Sequence, residues 1–229
     1  MKNVLLVNPF GIGDVLFATP LMCALKKSGV SRLDVILGSR TADVLKQNLY
    51  VDEIVSIRKD ELKNLSRTKI LSYLFGLFVK LRSRRYDTLI DLSLTREYAF
   101  WAAAVLGIKR RVGFNFKGRG TFLTERINIP DGFSGKHVME FYRDLAALLS
   151  LELSDNNLQW HGDSAEEQSA LEKAGRAGLP ARPPAGGDPA QPYLVIAPGG
   201  GSSWGKDAIF KQWAPEKFAR LLSFLGAEC

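Results

Sequence analysis

The chain has 229 residues, 46% of them hydrophobic, with a net charge of +7 and a pI of about 9.4. That supports a real core, and by length one large domain or about one and a half ordinary ones. The positive balance calls for an anionic partner: a nucleic acid, a membrane surface, or a phosphorylated or acidic small molecule.

The cysteines, Cys23 and Cys229, form no disulfide framework and suit a reducing compartment. The histidines, His137 and His161, cannot build a histidine-rich metal site, and no D-x-D motif occurs. No metal and no cofactor is therefore expected. Residues 4–7 are too short for a signal-peptide core, and the apolar stretches at 70–79 and 99–108 fall short of the ~20 residues that span a bilayer. The expectation is a cytoplasmic protein, with a peripheral membrane contact open to it.

Residues 4–7 read as a buried strand that Pro9 ends. Gly11 and Gly13 follow, in a turn where backbone can approach a ligand without Cβ interference. Asp14 stands where an N-cap is wanted, ahead of an apolar helix at 15–25 that Pro20 should kink or restart. The dinucleotide fingerprint G-x-G-x-x-G/A is not met, because Leu16 occupies the third position. Asp14 then has two readings. It caps the helix, or it is a carboxylate presented at the carboxyl end of the first strand, able to act as a general base.

Further strands are predicted at 33–37, 53–57, 88–92 and 110–114, with helices at 42–49, 70–84, 96–106 and 136–149. This alternation argues for an α/β fold with a doubly wound parallel sheet. Arg82, Arg84 and Arg85 close one helix, where positive charge suits the helix dipole. The loop at 115–124 carries Lys117, Gly118, Arg119 and Gly120 after a strand's carboxyl end. It is either a solvated loop or a backbone free to fold around an anion. His137 near a helix start reads as a capping or packing residue.

A surface helix is predicted at 166–176. Residues 179–192, with five prolines, then read as an interdomain linker. They separate an N-terminal domain, 1–178, from the beginning of a second one, 193–229. That second part repeats the pattern: a strand at 193–197, a glycine-rich loop at 198–203 and a helix at 215–225. Gly200, Ser202, Ser203, Lys206 and Lys211 supply N–H groups, hydroxyls and cations that suit phosphate, without P-loop spacing. Basic residues are present, but no nucleic-acid motif or stacking pattern organises them, so no nucleic-acid partner is expected.

Two blocks, N-P-F-G-I-G-D-V-L-F-A-T-P-L at 8–21 and A-P-G-G-G-S-S-W-G-K-D-A-I-F-K-Q-W-A-P-E-K-F-A-R-L at 197–221, resemble glycosyltransferase family 9. These are the ADP-heptose:lipopolysaccharide heptosyltransferases and their relatives. R-R-V-G-F at 110–114 and K-H-V at 136–138 fit the same pattern. The resemblance implies a GT-B fold, with two Rossmann-like domains facing a cleft. It implies a nucleotide sugar such as ADP-heptose as donor and an anionic lipopolysaccharide core or similar glycan as acceptor. Asp14 becomes the catalytic base. Gly200, Ser202, Ser203 and Lys211 fall on the donor side, and Gly13, Lys117 and Arg119 on the acceptor side. Family members continue for roughly another domain, so the chain is expected to be truncated in its second domain. The competing expectation is a non-catalytic chain that binds an anionic glycan or a membrane surface.

Overall fold

The computed structural model describes residues 1–57, 66–153, 157–158, 168–169, 172 and 214–224. The chain divides into two units, Met1–Asp163 and Ser164–Cys229.

The first unit is built on six strands: β1 Asn3–Asn8, β2 Arg32–Gly38, β3 Glu53–Ile57, β4 Thr88–Asp91, β5 Arg110–Asn115 and β6 Glu125–Asn128. Their order is β3-β2-β1-β4-β5-β6, and every neighbouring pair is parallel. The expected doubly wound parallel sheet is therefore present, with the strand order of a dinucleotide-type Rossmann domain. The order reverses direction between β1 and β4, where Val7 lies opposite Asp91. Ligands of such sheets sit outside the carboxyl ends of the strands at that switch point.

Side chains alternate between the two faces, and both faces are covered, so β1 reads as a continuous apolar run. On one face Val4, Leu6, Leu33, Val35 and Ile90 pack under α1 Ile12–Phe17, α2 Thr19–Lys27 and the later helix α5 Val138–Leu148. On the other face Leu5, Val7, Ile36, Val55 and Leu89 pack under α3 Arg67–Ser83 and α4 Glu97–Trp101.

Several boundaries differ from the sequence reading. The helix expected at 15–25 is two helices, α1 and α2, separated by Ala18, with Pro20 in the first turn of α2. The proline ring costs nothing there, because first-turn N–H groups have no intrahelical partner. Residues 42–49 form only a short 3₁₀ turn, Ala42–Leu45. The helix at 96–106 is α4 followed by a π-helical turn, Ala102–Leu106, which Gly107 ends at φ 71°. The strand β6 falls at 125–128, between the loop expected at 115–124 and the helix expected at 136–149, where no element was expected. In the second unit α6 Pro215–Phe224 is described. The expected surface helix, linker, strand and glycine loop before it lie largely or wholly outside the described residues.

Candidate active site at the carboxyl edge of the sheet

The turn after β1 is tied down from below. Asn8 is fully buried, donates through Nδ2 to the Asp14 carbonyl at 3.0 Å and accepts the Phe10 N–H at 3.4 Å. Gly11 is the N-cap of α1, in extended backbone at φ −75° and ψ 177°. Asp14 is therefore not the N-cap, as its position suggested. It is the third residue of the helix, and its Oδ2 reaches back to accept the Gly11 N–H at 3.2 Å. That is the acidic half of a capping box, and it also places negative charge at the positive end of the helix. Gly11 and Gly13 are absent from the left-handed backbone region. A Cβ on Gly13 would meet the Phe17 ring only at 3.9 Å, an ordinary contact. The fold by itself does not require glycine at 13.

A second wall comes from far along the chain. Phe133 stands edge-on to Phe10, with centroids 6.4 Å apart, and His137 stands edge-on to Phe17 at 4.9 Å. His137 caps α5, its Nδ1 accepting the Met139 N–H at 3.3 Å, as a capping or packing histidine should. Tyr142, one turn on, is buried, and its hydroxyl has no partner among the described residues. Burial first, and the Asp14 carboxylate second, raise its pKa.

Asp91 closes β4 at the switch point and is 2% exposed. Its Oδ1 accepts the Ser93 N–H at 2.9 Å. Burial pushes the carboxyl up to about 7, against the Ser93 hydrogen bonds and with a smaller contribution from Glu97. A Cβ on Gly113 of β5 would lie 2.4 Å from the Asp91 carbonyl oxygen, so the glycine of R-R-V-G-F is demanded by strand packing. The sequence reading missed Asp91. Its signal was a carboxylate at the end of an otherwise apolar strand.

Lys117 and Arg119 lie on the loop that leaves β5 at this same edge. The Lys117 ammonium is 4.9 Å and the Arg119 guanidinium 5.5 Å from the centroid of one ring, Phe116. Arg119 also donates to the Leu94 carbonyl, in the loop after β4, at 3.4 Å. Two of the loop's amide groups are bonded within the loop itself. The Arg119 N–H is taken by the Phe116 carbonyl and the Gly120 N–H by Asn115 Oδ1. The loop presents the exposed side chains of Lys117 and Arg119. Arg82 and Arg84 each have a partner within the fold: Arg82 donates to the Val105 carbonyl and Arg84 to Glu53, each at 2.8 Å. Gly200, Ser202, Ser203, Lys206 and Lys211 lie outside the described residues.

A nucleotide-type sheet with a carboxylate at its switch point does not by itself distinguish among many enzymes. The family model of glycosyltransferase family 9 (heptosyltransferase) matches residues 74–228. The chain belongs to glycosyltransferase family 9. The match includes the 197–221 block and leaves out the turn around Asp14, whose place is given by the fold. Among solved structures, E. coli ADP-heptose lps heptosyltransferase II is similar with a TM-score of 0.55 and 20% identity, covering 78% of this chain and 51% of that one. The glycosyl transferase family 9 protein from Veillonella parvula DSM 2008 gives 0.68 and 17%, over 98% of this chain and 59% of that one. E. coli heptosyltransferase WaaC with ADP gives 0.53 and 20%, over 75% and 53%. The chain thus spans between half and three-fifths of the length of these family 9 structures. No curated protein matches the sequence.

Proposed function

We propose that this family 9 protein transfers a sugar, heptose from ADP-heptose, to a hydroxyl of an anionic lipopolysaccharide-core acceptor, with inversion at the anomeric carbon. The observation that carries the reading is the Asp14 carboxylate, fixed through one oxygen by the Gly11 N–H at the carboxyl end of β1. A carboxylate whose one oxygen is anchored keeps the other for a substrate proton. Asp14 takes the acceptor proton as the acceptor oxygen forms its bond to the anomeric carbon. The bond from that carbon to the diphosphate breaks, and the nucleoside diphosphate leaves with its electron pair.

The growing phosphate charge falls to the glycine loop of the second unit, where Gly200, Ser202, Ser203 and Lys211 are the proposed donor contacts. Solved relatives hold ADP and an ADP-2-deoxy-2-fluoro heptose, which supports a nucleotide-sugar donor. Lys117 and Arg119, two exposed cations flanking one ring, suit the charges of the acceptor, with Gly13 letting it approach the turn. No metal and no cofactor enters this scheme. The place of work is the cytoplasmic side of the inner membrane, reached by peripheral contact.

Asp14→Asn tests the reading. Asparagine still accepts the Gly11 N–H, so α1 keeps its cap, while the base is gone. Turnover should fall ~10²–10⁴-fold, the usual contribution of a positioned base, with ADP affinity by titration calorimetry unchanged. Undiminished turnover would remove Asp14 from the mechanism.

A further inference from the structure

The face of the sheet opposite α1 and α2 carries a feature that sugar transfer does not use. Here α3 and α4 cover the sheet without filling the space beneath them. They leave an apolar cavity of about 580 Å³, lined by Leu5 and Val7 of β1, Leu74 and Phe78 of α3, and Trp101 and Val105.

The apolar arc of α3 is wider than the sheet can cover. Leu81 turns inward and is buried, whereas Leu71 is 70% exposed and Phe75 65%. Val79 continues that row one turn on, at the i, i+4, i+8 spacing that keeps side chains on one helix face. Leu74 borders it and lines the cavity together with Trp101 of α4, which is 58% exposed, and the neighbouring Phe100 is exposed as well. Contiguous exposed apolar surface of this kind marks an interaction site.

Charge says which kind. From Ser66 to Arg85 the chain carries Arg67, Lys69, Lys80, Arg82, Arg84 and Arg85 and no acidic residue. Glu53 engages Lys80 and Arg84 on the inner flank. Arg82 stays exposed beside the apolar row, its guanidinium 5.9 Å from the Phe78 ring centroid. The cores of protein interfaces are depleted in lysine and charge. An apolar helix whose own charged residues are all cations, with Trp101 at its margin and Glu97 of α4 also lining the cavity, instead fits the boundary between headgroups and acyl chains of an anionic bilayer. α3 has 17 residues, about 25 Å of helix, too short for a hydrocarbon core of ~30 Å. Among the described residues no helix is long and apolar enough to cross a membrane.

We propose that α3, together with Phe100 and Trp101, is the surface by which this unit seats on an anionic phospholipid bilayer, with one acyl chain entering the cavity beneath. The inference rests on the peripheral-contact part of the reading above and is independent of its chemistry.

The test is co-sedimentation of the full chain with vesicles of phosphatidylglycerol and phosphatidylcholine, and with vesicles of phosphatidylcholine alone. The chain should bind the anionic vesicles at least roughly ten-fold more tightly, because each cation near the surface adds about 1 kcal/mol. The double variant Leu71→Asp/Phe75→Asp should lose roughly ten-fold or more of that affinity, with its circular dichroism unchanged because both side chains are exposed. If aspartate unfolds the chain, Phe75→Ser makes the same comparison. The blue shift of tryptophan fluorescence on vesicle addition should shrink in Trp101→Phe.

Failure of the wild-type chain to bind anionic vesicles would overturn the proposal, and so would a folded double variant that binds them equally. A dimer in sedimentation velocity that the double variant dissolves, without vesicle binding by the monomer, would assign the face to a second copy instead. The vesicles hold neither glycan nor nucleotide sugar. Failure here therefore leaves sugar transfer standing, and failure of the Asp14 test leaves the docking face standing.

Discussion

Adding one methyl group at position 13 separates what the fold needs from what a ligand needs. Gly13 is exposed, sits in the first turn of α1, and is absent from the positive-φ backbone positions. Its added Cβ would find its nearest neighbour, the Phe17 ring, at 3.9 Å. Among the described residues nothing resists alanine there. Replacing glycine at a compatible position removes freedom from the unfolded chain and stabilises by about 0.4–1 kcal/mol. For a unit of this size that corresponds to a rise in Tm of roughly 1–4 °C. If the acceptor approaches the backbone of the turn, the same methyl stands in its way, so the KM for acceptor rises while the KM for donor holds. The assay pairs thermal melts with initial rates at varied acceptor. Stability and acceptor affinity should move in opposite directions. A lower Tm would mean that the turn needs glycine for its own packing. A higher Tm with unchanged acceptor KM would refute close approach at Gly13.

Other outcomes follow from the same edge of the sheet. Asp91, at an ordinary 3.8 unfolded and about 7 folded, keeps a proton in the native state that the unfolded chain has released. Its effect on stability is therefore absent below about pH 4, grows unfavourable as pH rises to about 7, and then levels, by up to about 4 kcal/mol at 1.36 kcal/mol per pH unit. Asp91→Asn keeps an acceptor for the Ser93 N–H without the charge, so denaturant titrations should show it more stable than wild type at pH 8 and matched at pH 4; equal curves at pH 8 would refute the burial argument. Gly113→Ala forces a Cβ against backbone at 2.4 Å and should cost at least about 1–3 kcal/mol in urea unfolding, the range for overpacking a buried site. Lys117→Glu with Arg119→Glu should raise acceptor KM without changing ADP affinity, and an unchanged KM would place the acceptor elsewhere.

How much was legible in the sequence depended on whether the deciding interaction was local. β1 was readable because a strand buried on both faces is apolar along its length, and Pro9 breaks the pattern. His137 was readable as a capping or packing residue because a helix end needs an acceptor within two or three residues. The strand β6, E-R-I-N, was not readable. It alternates between half-buried and exposed, and it is held by backbone pairing to β5 and by the Arg110–Glu125 ion pair. None of that leaves an apolar run.

The chain alone determined the parallel α/β class, the glycine turn after β1, the carboxylate in it and the restart at Pro20. Each follows from periodicity or from one residue's backbone chemistry. Only the tertiary structure decided the strand order and thus the switch point between β1 and β4. It also decided the third-residue role of Asp14, the packing of Phe133 and His137 against the turn, the burial that raises Asp91, and the apolar face of α3 left in water. Those depend on which segments, tens of residues apart, are brought together, and hydrophobic burial is indifferent to sequence distance.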